Sequence, residues 1–144
     1  MNIVFNDLEF GKIKVGDVFS FKKLMNSELV DGFAKLTGDY NSLHMDVDYA
    51  KKNGFDDRVV HGLLAGSLFS TLVGMLCPGR QSLYLSQNLN FKRPIILGTE
   101  VIIKGEVVCR FESTQIIKLK TLVCDEKDKI MIEGEALVKV RPKI

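Results

Sequence analysis

The spacing of apolar residues changes several times along the chain, and each change marks a different secondary structure. Between residues 18 and 24 apolar and polar residues alternate, which predicts a strand. From 27 to 37 the apolar residues recur every three or four positions, which predicts a helix that ends at Gly38. A short helix is predicted over 46–52. Residues 39–45 are therefore expected to form a loop between two helices.

The segment 60–76 contains no charged residue. A helix that is apolar all round needs protein on every side, so this segment is predicted to be the axis of the core. The apolar stretch 59–77 is about as long as a membrane span, but its histidine, glycines and hydroxyl residues argue for a buried helix instead. Small residues recur every fourth position along it, at Gly62, Gly66, Ser70 and Gly74. This row of small side chains either lets a strand or a partner backbone pack closely against the helix or leaves room for an elongated ligand.

After Pro78 the pattern changes to the two-residue period of strands. Strands are predicted over 83–92, 101–110, 115–124 and 130–140, with short turns between the last three. The fold class is therefore α+β, with an antiparallel sheet wrapped around a long central apolar helix. Such a sheet leaves an open edge, so we expect at least a dimer.

The composition of the chain narrows the classes of protein to which it can belong. The chain has 144 residues with 20 basic and 18 acidic side chains, which indicates one domain over 1–144 and no nucleic-acid interface. Its three cysteines, Cys77, Cys109 and Cys124, give neither a disulfide framework nor a zinc pattern. The opening segment Met1–Asp7 lacks the features of a signal peptide, so a cytoplasmic location is expected.

Candidate chemistry lies just before the apolar helix. Asp39 and His44 are a carboxylate and an imidazole close in sequence, and the other histidine, His61, stands where that helix begins. Such a pair can hold a water that adds to an activated double bond, or that leaves in the reverse reaction. Asn41 can orient one of the pair, and the N–H of Gly62 can stabilise negative charge on a nearby oxygen. Taken singly, these residues are also typical of turns and helix caps.

The segment Phe33-x-x-Leu36-Thr37-Gly38-Asp39-x-Asn41-Ser42-Leu43-His44, together with Val60-His61-Gly62, resembles the signature of the MaoC-like (R)-specific enoyl-CoA hydratase family, also called hydratase 2. The likeness extends from about Gly16 to Val140. It implies a single domain with the hot-dog fold. One departure is Ser42, where the family usually has proline, and this change bears on loop stiffness more than on chemistry.

The resemblance implies roles for individual residues. Asp39 and His44 match the catalytic pair, with Asn41 and His61 in support and the Gly62 N–H at the thioester carbonyl. As the first hypothesis, Asp39 acts as base on water and His44 supplies the proton to the substrate, although the sequence leaves the two roles open. The remaining candidates are Ser70 and Val73 for the acyl pocket, and Arg80, Lys92 and Arg93 for the phosphates of the acyl carrier. No metal or redox cofactor is expected.

Three functions remain open from the sequence. The first is reversible hydration of a trans-2-enoyl-CoA to an (R)-3-hydroxyacyl-CoA by a homodimer or a dimer of dimers. The second is a MaoC-type dehydratase acting on 3-hydroxyacyl groups of acyl carrier protein. Another type of hot-dog dehydratase pairs a loop histidine with a glutamate on the central helix. That type is disfavoured, because no acidic residue occurs between Val59 and Cys77. The third is a non-catalytic module that binds acyl chains.

Overall fold

The computed structural model describes residues 5–144, and in it one antiparallel sheet curls around a long helix. Residues 1–4, which belong to the opening segment Met1–Asp7, lie outside the described residues. The elements in chain order are β1 (Val18–Leu24), α1 (Ser27–Thr37), α2 (Ser42–Met45), α3 (Val47–Lys52), α4 (Gly62–Thr71), β2 (Ser82–Gln87), β3 (Asn90–Phe91), β4 (Glu100–Phe111), β5 (Ile116–Cys124) and β6 (Ile130–Val140). Within 5–144 the strand order is β1-β4-β5-β6-β2, and β3 also pairs with β6. The predicted α+β class is confirmed.

The inner face of the sheet follows the predicted two-residue period. On β4 the buried positions include Val101, Ile103 and Val107, and equivalent positions on β5 and β6 are buried in the same way. Between them Gly105 lets Leu72, which directly follows α4, approach closely, because a Cβ at this position would lie 2.6 Å from Cδ2 of Leu72. The helix and the sheet therefore pack at a distance that any larger residue at 105 would disturb.

Helix α4 is buried against the sheet but exposed on its opposite face. Phe69 and Leu72 are fully buried, and the helix continues through a π-helical turn over Leu72–Leu76. In contrast, Leu63 is 61% exposed, and Ser70 also faces outward. The expectation that protein surrounds this helix on every side is therefore not met by a single chain. Among residues 5–144, no helix combines the length and apolarity needed to cross a membrane.

The row of small residues serves packing in its first half. A Cβ at Gly62 would lie 2.8 Å from the ring of Phe91, and a Cβ at Gly66 would lie 3.0 Å from Leu89. Both neighbours come from the segment that ends in β3. Side chains of the sheet therefore fill the groove that the glycines leave along the start of α4.

Two sequence predictions need correction. The predicted loop 39–45 contains the helical turn α2, because Oδ1 of Asn41 accepts a hydrogen bond from the Leu43 N–H at 2.9 Å and so caps this turn. The predicted strand 83–92 is interrupted between β2 and β3 and has an irregular register near Leu85. Leu83 and Leu85, on the edge strand β2, are exposed.

Candidate active site

A cavity of about 440 Å³ opens between the start of α4 and the segment around β3. Its polar side is formed by Asp39, His44 and His61, next to the backbone of Gly62. Its apolar lining includes Phe33, Val60, Leu63, Phe91, Ile95 and Ile132. The structure thus brings the predicted catalytic pair, both histidines and the glycine into one site.

Asp39 is held by its own loop so that one carboxylate oxygen remains available. The preceding Gly38 adopts a left-handed conformation with φ of 82°, which turns the chain out of α1. The N–H of Asp39 donates to Oγ1 of Thr37 at 3.2 Å, and its Oδ1 accepts from the Asn41 N–H at 3.2 Å. Oδ2 lies 3.8 Å from Nε2 of His44. The side chain is 49% exposed, so solvent reaches it.

His44 lies on α2, and its ring orientation is set by a residue distant in sequence. Nδ1 lies 2.6 Å from the carbonyl oxygen of Val59. A carbonyl oxygen only accepts hydrogen bonds, so Nδ1 carries the proton, and in the neutral ring Nε2 has a free lone pair. Nε2 is the nitrogen that lies near Oδ2 of Asp39. The carboxylate of Asp39 and the neutral imidazole of His44 therefore present two acceptors to the cavity.

Asn41 acts on the pair through the backbone. Its N–H binds Oδ1 of Asp39, and its side chain caps the helical turn that carries His44. The side-chain amide of Asn41 thus contacts the first turn of α2, and its backbone N–H contacts the carboxylate of Asp39. Asn41 connects the two residues by shaping the segment between them.

His61 and Gly62 form the start of α4. His61 occupies the N-cap position, but its side chain makes no capping hydrogen bond. Instead its Nε2–H donates to the carbonyl oxygen of Asp39 at 3.0 Å. Gly62 is the first residue of the helix, so its N–H belongs to the turn that has no intrahelical acceptor and that carries the positive end of the helix dipole.

Asp39, His44 and His61 each have a potential metal-ligand atom, and these atoms lie within 4.8 Å of one another. The hydrogen bond from His61 to the Asp39 carbonyl uses the nitrogen that lies 3.9 Å from Oδ2 of Asp39. Because Nε2 of His61 is occupied and its Nδ1 is buried, only Asp39 and His44 have lone pairs that face the cavity. Catalytic zinc sites generally have three protein ligands, so the donor set fits such a metal poorly.

The other predicted site residues are placed at different distances from the cavity. Lys92 and Arg93 lie at its edge, where Lys92 pairs with Glu133 at 3.2 Å and Arg93 donates to a backbone carbonyl. Arg80 lies elsewhere, with its guanidinium 5.2 Å from the centre of the Phe5 ring.

The two acyl-pocket candidates do not line this cavity. Ser70 is exposed on the outer face of α4, and Val73 is buried in a second core cluster with Val107 and Val138. Sequence reasoning missed Ile132, which the pairing of β3 with β6 places opposite Phe91. The alternation along these two strands indicates which side chains share a face, but it does not give the register.

Fold and site together define a hot-dog protein with an acid–base pair at the start of its central helix. The chain belongs to the MaoC like domain family, whose model matches residues 14–128. It is 38% identical over 128 residues to the (R)-specific enoyl-CoA hydratase of Aeromonas caviae, covering 89% of this chain and 96% of that protein. It is 32% identical over 127 residues to the mitochondrial 3-hydroxyacyl-[acyl-carrier-protein] dehydratase of Arabidopsis thaliana, covering 86% and 75%.

A solved structure supports the same assignment. The (R)-hydratase from Aeromonas caviae involved in PHA biosynthesis superposes with a TM-score of 0.87 at 37% identity, covering 91% of this chain and 98% of that one. The predicted family, the hot-dog fold and the enzyme class of hydro-lyases are therefore confirmed.

Proposed function

We propose that the protein is an (R)-specific enoyl-CoA hydratase, which adds water reversibly to a trans-2-enoyl-CoA and forms an (R)-3-hydroxyacyl-CoA. The observation that carries this proposal is the 3.8 Å separation between Oδ2 of Asp39 and Nε2 of His44 at the wall of an apolar cavity. A water at ordinary hydrogen-bond distance from both atoms fits at this separation. Its oxygen then has a lone pair left to attack C3 of the substrate.

The hydrogen bonds of the pair support one assignment of its proton transfers, which we propose here. Because Nδ1 of His44 donates to Val59, Nε2 has no proton to give in the neutral ring. This proposal differs from the first hypothesis from the sequence, in which Asp39 acts as base on water and His44 supplies the proton to the substrate. Nε2 accepts a proton from the attacking water while Asp39 holds the second hydrogen of that water. The proton on Nε2 then passes to C2, so that one water supplies both the hydroxyl group and the new C–H bond.

The thioester oxygen is the third point of contact. Attack at C3 pushes electron density through the double bond onto this oxygen, which gains enolate character. The N–H of Gly62 lies at the positive end of α4 and borders the cavity, so we place the oxygen there. Removing one such donor costs about 3–4 kcal/mol of transition-state stabilisation in well-studied cases.

The group that carries the acyl chain of the substrate has a second candidate, acyl carrier protein in place of CoA. The similarity to the Arabidopsis thaliana dehydratase favours considering 3-hydroxyacyl groups on acyl carrier protein, since the same pair runs the reaction in reverse. Lys92 and Arg93 at the cavity edge suit the phosphates of either carrier. A non-catalytic acyl-binding module is the weaker alternative, because the acid–base pair is complete.

The experiment measures the loss of enoyl-thioester absorbance with enoyl-CoAs of increasing length, followed by chiral analysis of the product. The same acyl groups on acyl carrier protein decide the carrier by comparison of kcat/KM. Asp39→Asn and His44→Asn should each lower kcat by about 10²–10⁴-fold. His44→Asn is the sharper variant, because its amide nitrogen can still donate to Val59 while Nε2 is lost. Near wild-type kcat in either variant would contradict the mechanism.

We further propose that the enzyme is a homodimer, or a dimer of such dimers. A single chain leaves Leu63 exposed on α4, and the edge strand β2 exposes Leu83 and Leu85. A second copy that covers these surfaces would complete the burial of the central helix. Analytical ultracentrifugation tests this, and Leu83→Glu should shift the protein towards monomer. A wild-type monomer at micromolar concentration would contradict it.

We also propose a cytoplasmic location, which the similarity to the bacterial (R)-specific enoyl-CoA hydratase of Aeromonas caviae supports. Fractionation of producing cells tests this, and recovery in a periplasmic or organellar fraction would contradict it.

A further inference from the structure

His61 is connected to both members of the acid–base pair, although it is fixed at the start of a different element. Only 2% of its side chain is exposed. Its Nε2–H donates to the main-chain carbonyl of Asp39 at 3.0 Å. Its ring stacks on that of His44, with centroids 3.9 Å apart and 28° between the planes. Phe33 also contacts the ring, at 4.9 Å between centroids and at a tilt of 58°.

Two simpler roles for His61 do not agree with these contacts. A helix cap would use a ring nitrogen to accept an N–H of the first turn of α4, and no such bond is formed. A catalytic acid or base would need a nitrogen free to meet the substrate, but Nε2 is occupied by the Asp39 carbonyl. The other nitrogen, Nδ1, is buried and has no hydrogen-bond partner within residues 5–144. A buried polar atom without a partner is costly, so its retention needs a reason.

The hydrogen bond from His61 to the Asp39 carbonyl matters because little else fixes the position of Asp39. The Asp39 side chain is half exposed and lies on an irregular segment after a left-handed glycine, so its position depends on few contacts. The other hydrogen bonds of Asp39 are local in sequence, to Thr37 at the end of α1 and to Asn41 two residues further on. The bond from His61 instead ties Asp39 to α4, the rigid axis of the fold. The same ring fixes the plane of His44 by stacking.

We propose that His61 is a positioning residue that keeps Oδ2 of Asp39 and Nε2 of His44 at the separation that one water bridges. This inference rests on the proposed hydratase function. The hydrogen bond anchors Asp39, and the stack anchors His44. Because a misplacement of about 1 Å can cost about 10²-fold in rate, loss of the anchor should lower kcat strongly while the substrate still binds.

The two amide side chains provide a matched test. In His61→Gln the amide nitrogen lies about where Nε2 lies and can still donate to Asp39. In His61→Asn it lies about where Nδ1 lies and cannot reach. A third variant, His61→Phe, keeps a flat ring for stacking and removes the donor. We expect His61→Gln to retain most of the wild-type kcat, and His61→Asn and His61→Phe to lose about 10–100-fold in kcat with little change in KM.

A double-mutant cycle separates positioning from a general effect on folding. If His61 acts through Asp39, then His61→Phe should cost far less in an Asp39→Asn background than in the wild type. Thermal unfolding of each variant shows whether the fold is intact. Equal losses in both backgrounds, or equal activity of His61→Gln and His61→Asn, would overturn the proposal.

A readout that needs no turnover keeps this inference separate from the proposed function. Ring ¹⁵N spectra of the wild type should show His61 protonated on Nε2 and His44 protonated on Nδ1. The His44 signals should stay in place in His61→Gln and shift in His61→Asn. If these shifts appear but no enoyl thioester is hydrated, the proposed function fails and the positioning role stands. A His61 ring protonated on Nδ1 alone would overturn the positioning role.

Discussion

Replacing Gly62 by proline tests the thioester-oxygen site with little disturbance of the helix. Gly62 is the first residue of α4, a position where proline is favoured because its N–H has no intrahelical acceptor. The preceding His61 has φ −55° and ψ 126°, a conformation that a residue before proline readily adopts. The substitution therefore removes one N–H donor from the cavity and leaves the backbone path intact.

The magnitude follows from the lost donor and from the new side chain. Loss of a donor to a developing oxyanion costs about 10²–10³-fold in kcat. The added Cβ would lie 2.8 Å from Cε1 and 2.9 Å from Cδ1 of Phe91. Phe91 is 53% exposed, so its ring has room to move aside. Gly62→Ala carries the same Cβ and keeps the N–H, which makes it the matched control.

The assay is hydration of crotonyl-CoA by both variants, with kcat and KM measured separately. We expect Gly62→Ala to stay close to wild type and Gly62→Pro to fall by about 10²–10³-fold in kcat. If the proline ring merely obstructed the substrate, KM would rise and kcat would change little. A kcat for Gly62→Pro within a small factor of that for Gly62→Ala would refute the placement of the thioester oxygen at this N–H.

Four further outcomes are expected. Asn41→Ala removes the N-cap of α2, so it should lower the free energy of unfolding by about 1 kcal/mol and also reduce kcat. Unchanged thermal unfolding would contradict this capping role. Gly105→Ala forces a Cβ against Leu72 and should cost about 1–3 kcal/mol in urea unfolding, whereas a neutral result would mean that the helix shifts freely. Burial raises the pKa of the Cys77 thiol to about 12 from 9.0, so its contribution to stability is complete below pH 9 and is lost as the pH rises towards 12. Cys77→Ala should therefore show a shallower alkaline loss of stability than wild type, and identical curves would argue against this. A chelator should leave kcat unchanged, and a loss that zinc restores would contradict the two-donor interpretation of the site.

The spacing of apolar residues predicted most of the helices and strands, because it shows which side of a segment is buried. The three long strands β4, β5 and β6 begin and end within a residue of their predicted bounds, since alternation over ten residues leaves little ambiguity. The loop 39–45 was predicted less well, because a single turn such as α2 depends on one capping contact and is too short to show a period. The prediction of one continuous strand over 83–92 was wrong because it too depends on a single residue. Asn88 interrupts the hydrogen bonding between the strands, since both its backbone and its side chain bind the backbone of Glu135.

Within the site, the order of the residues is enough to show which chemical groups are available. It placed a carboxylate, an imidazole and a helix N-terminus close together, and the motif around Asp39 and His44 indicated their reaction class. Which ring nitrogen of His44 carries the proton, and what holds Asp39 in place, depend on contacts between segments distant in sequence. The proton of His44 is assigned by Val59, fifteen residues away, and Asp39 is anchored by His61, twenty-two residues away. Such contacts depend on how α2 and the loop pack against the start of α4, and a one-dimensional pattern carries no information about that packing.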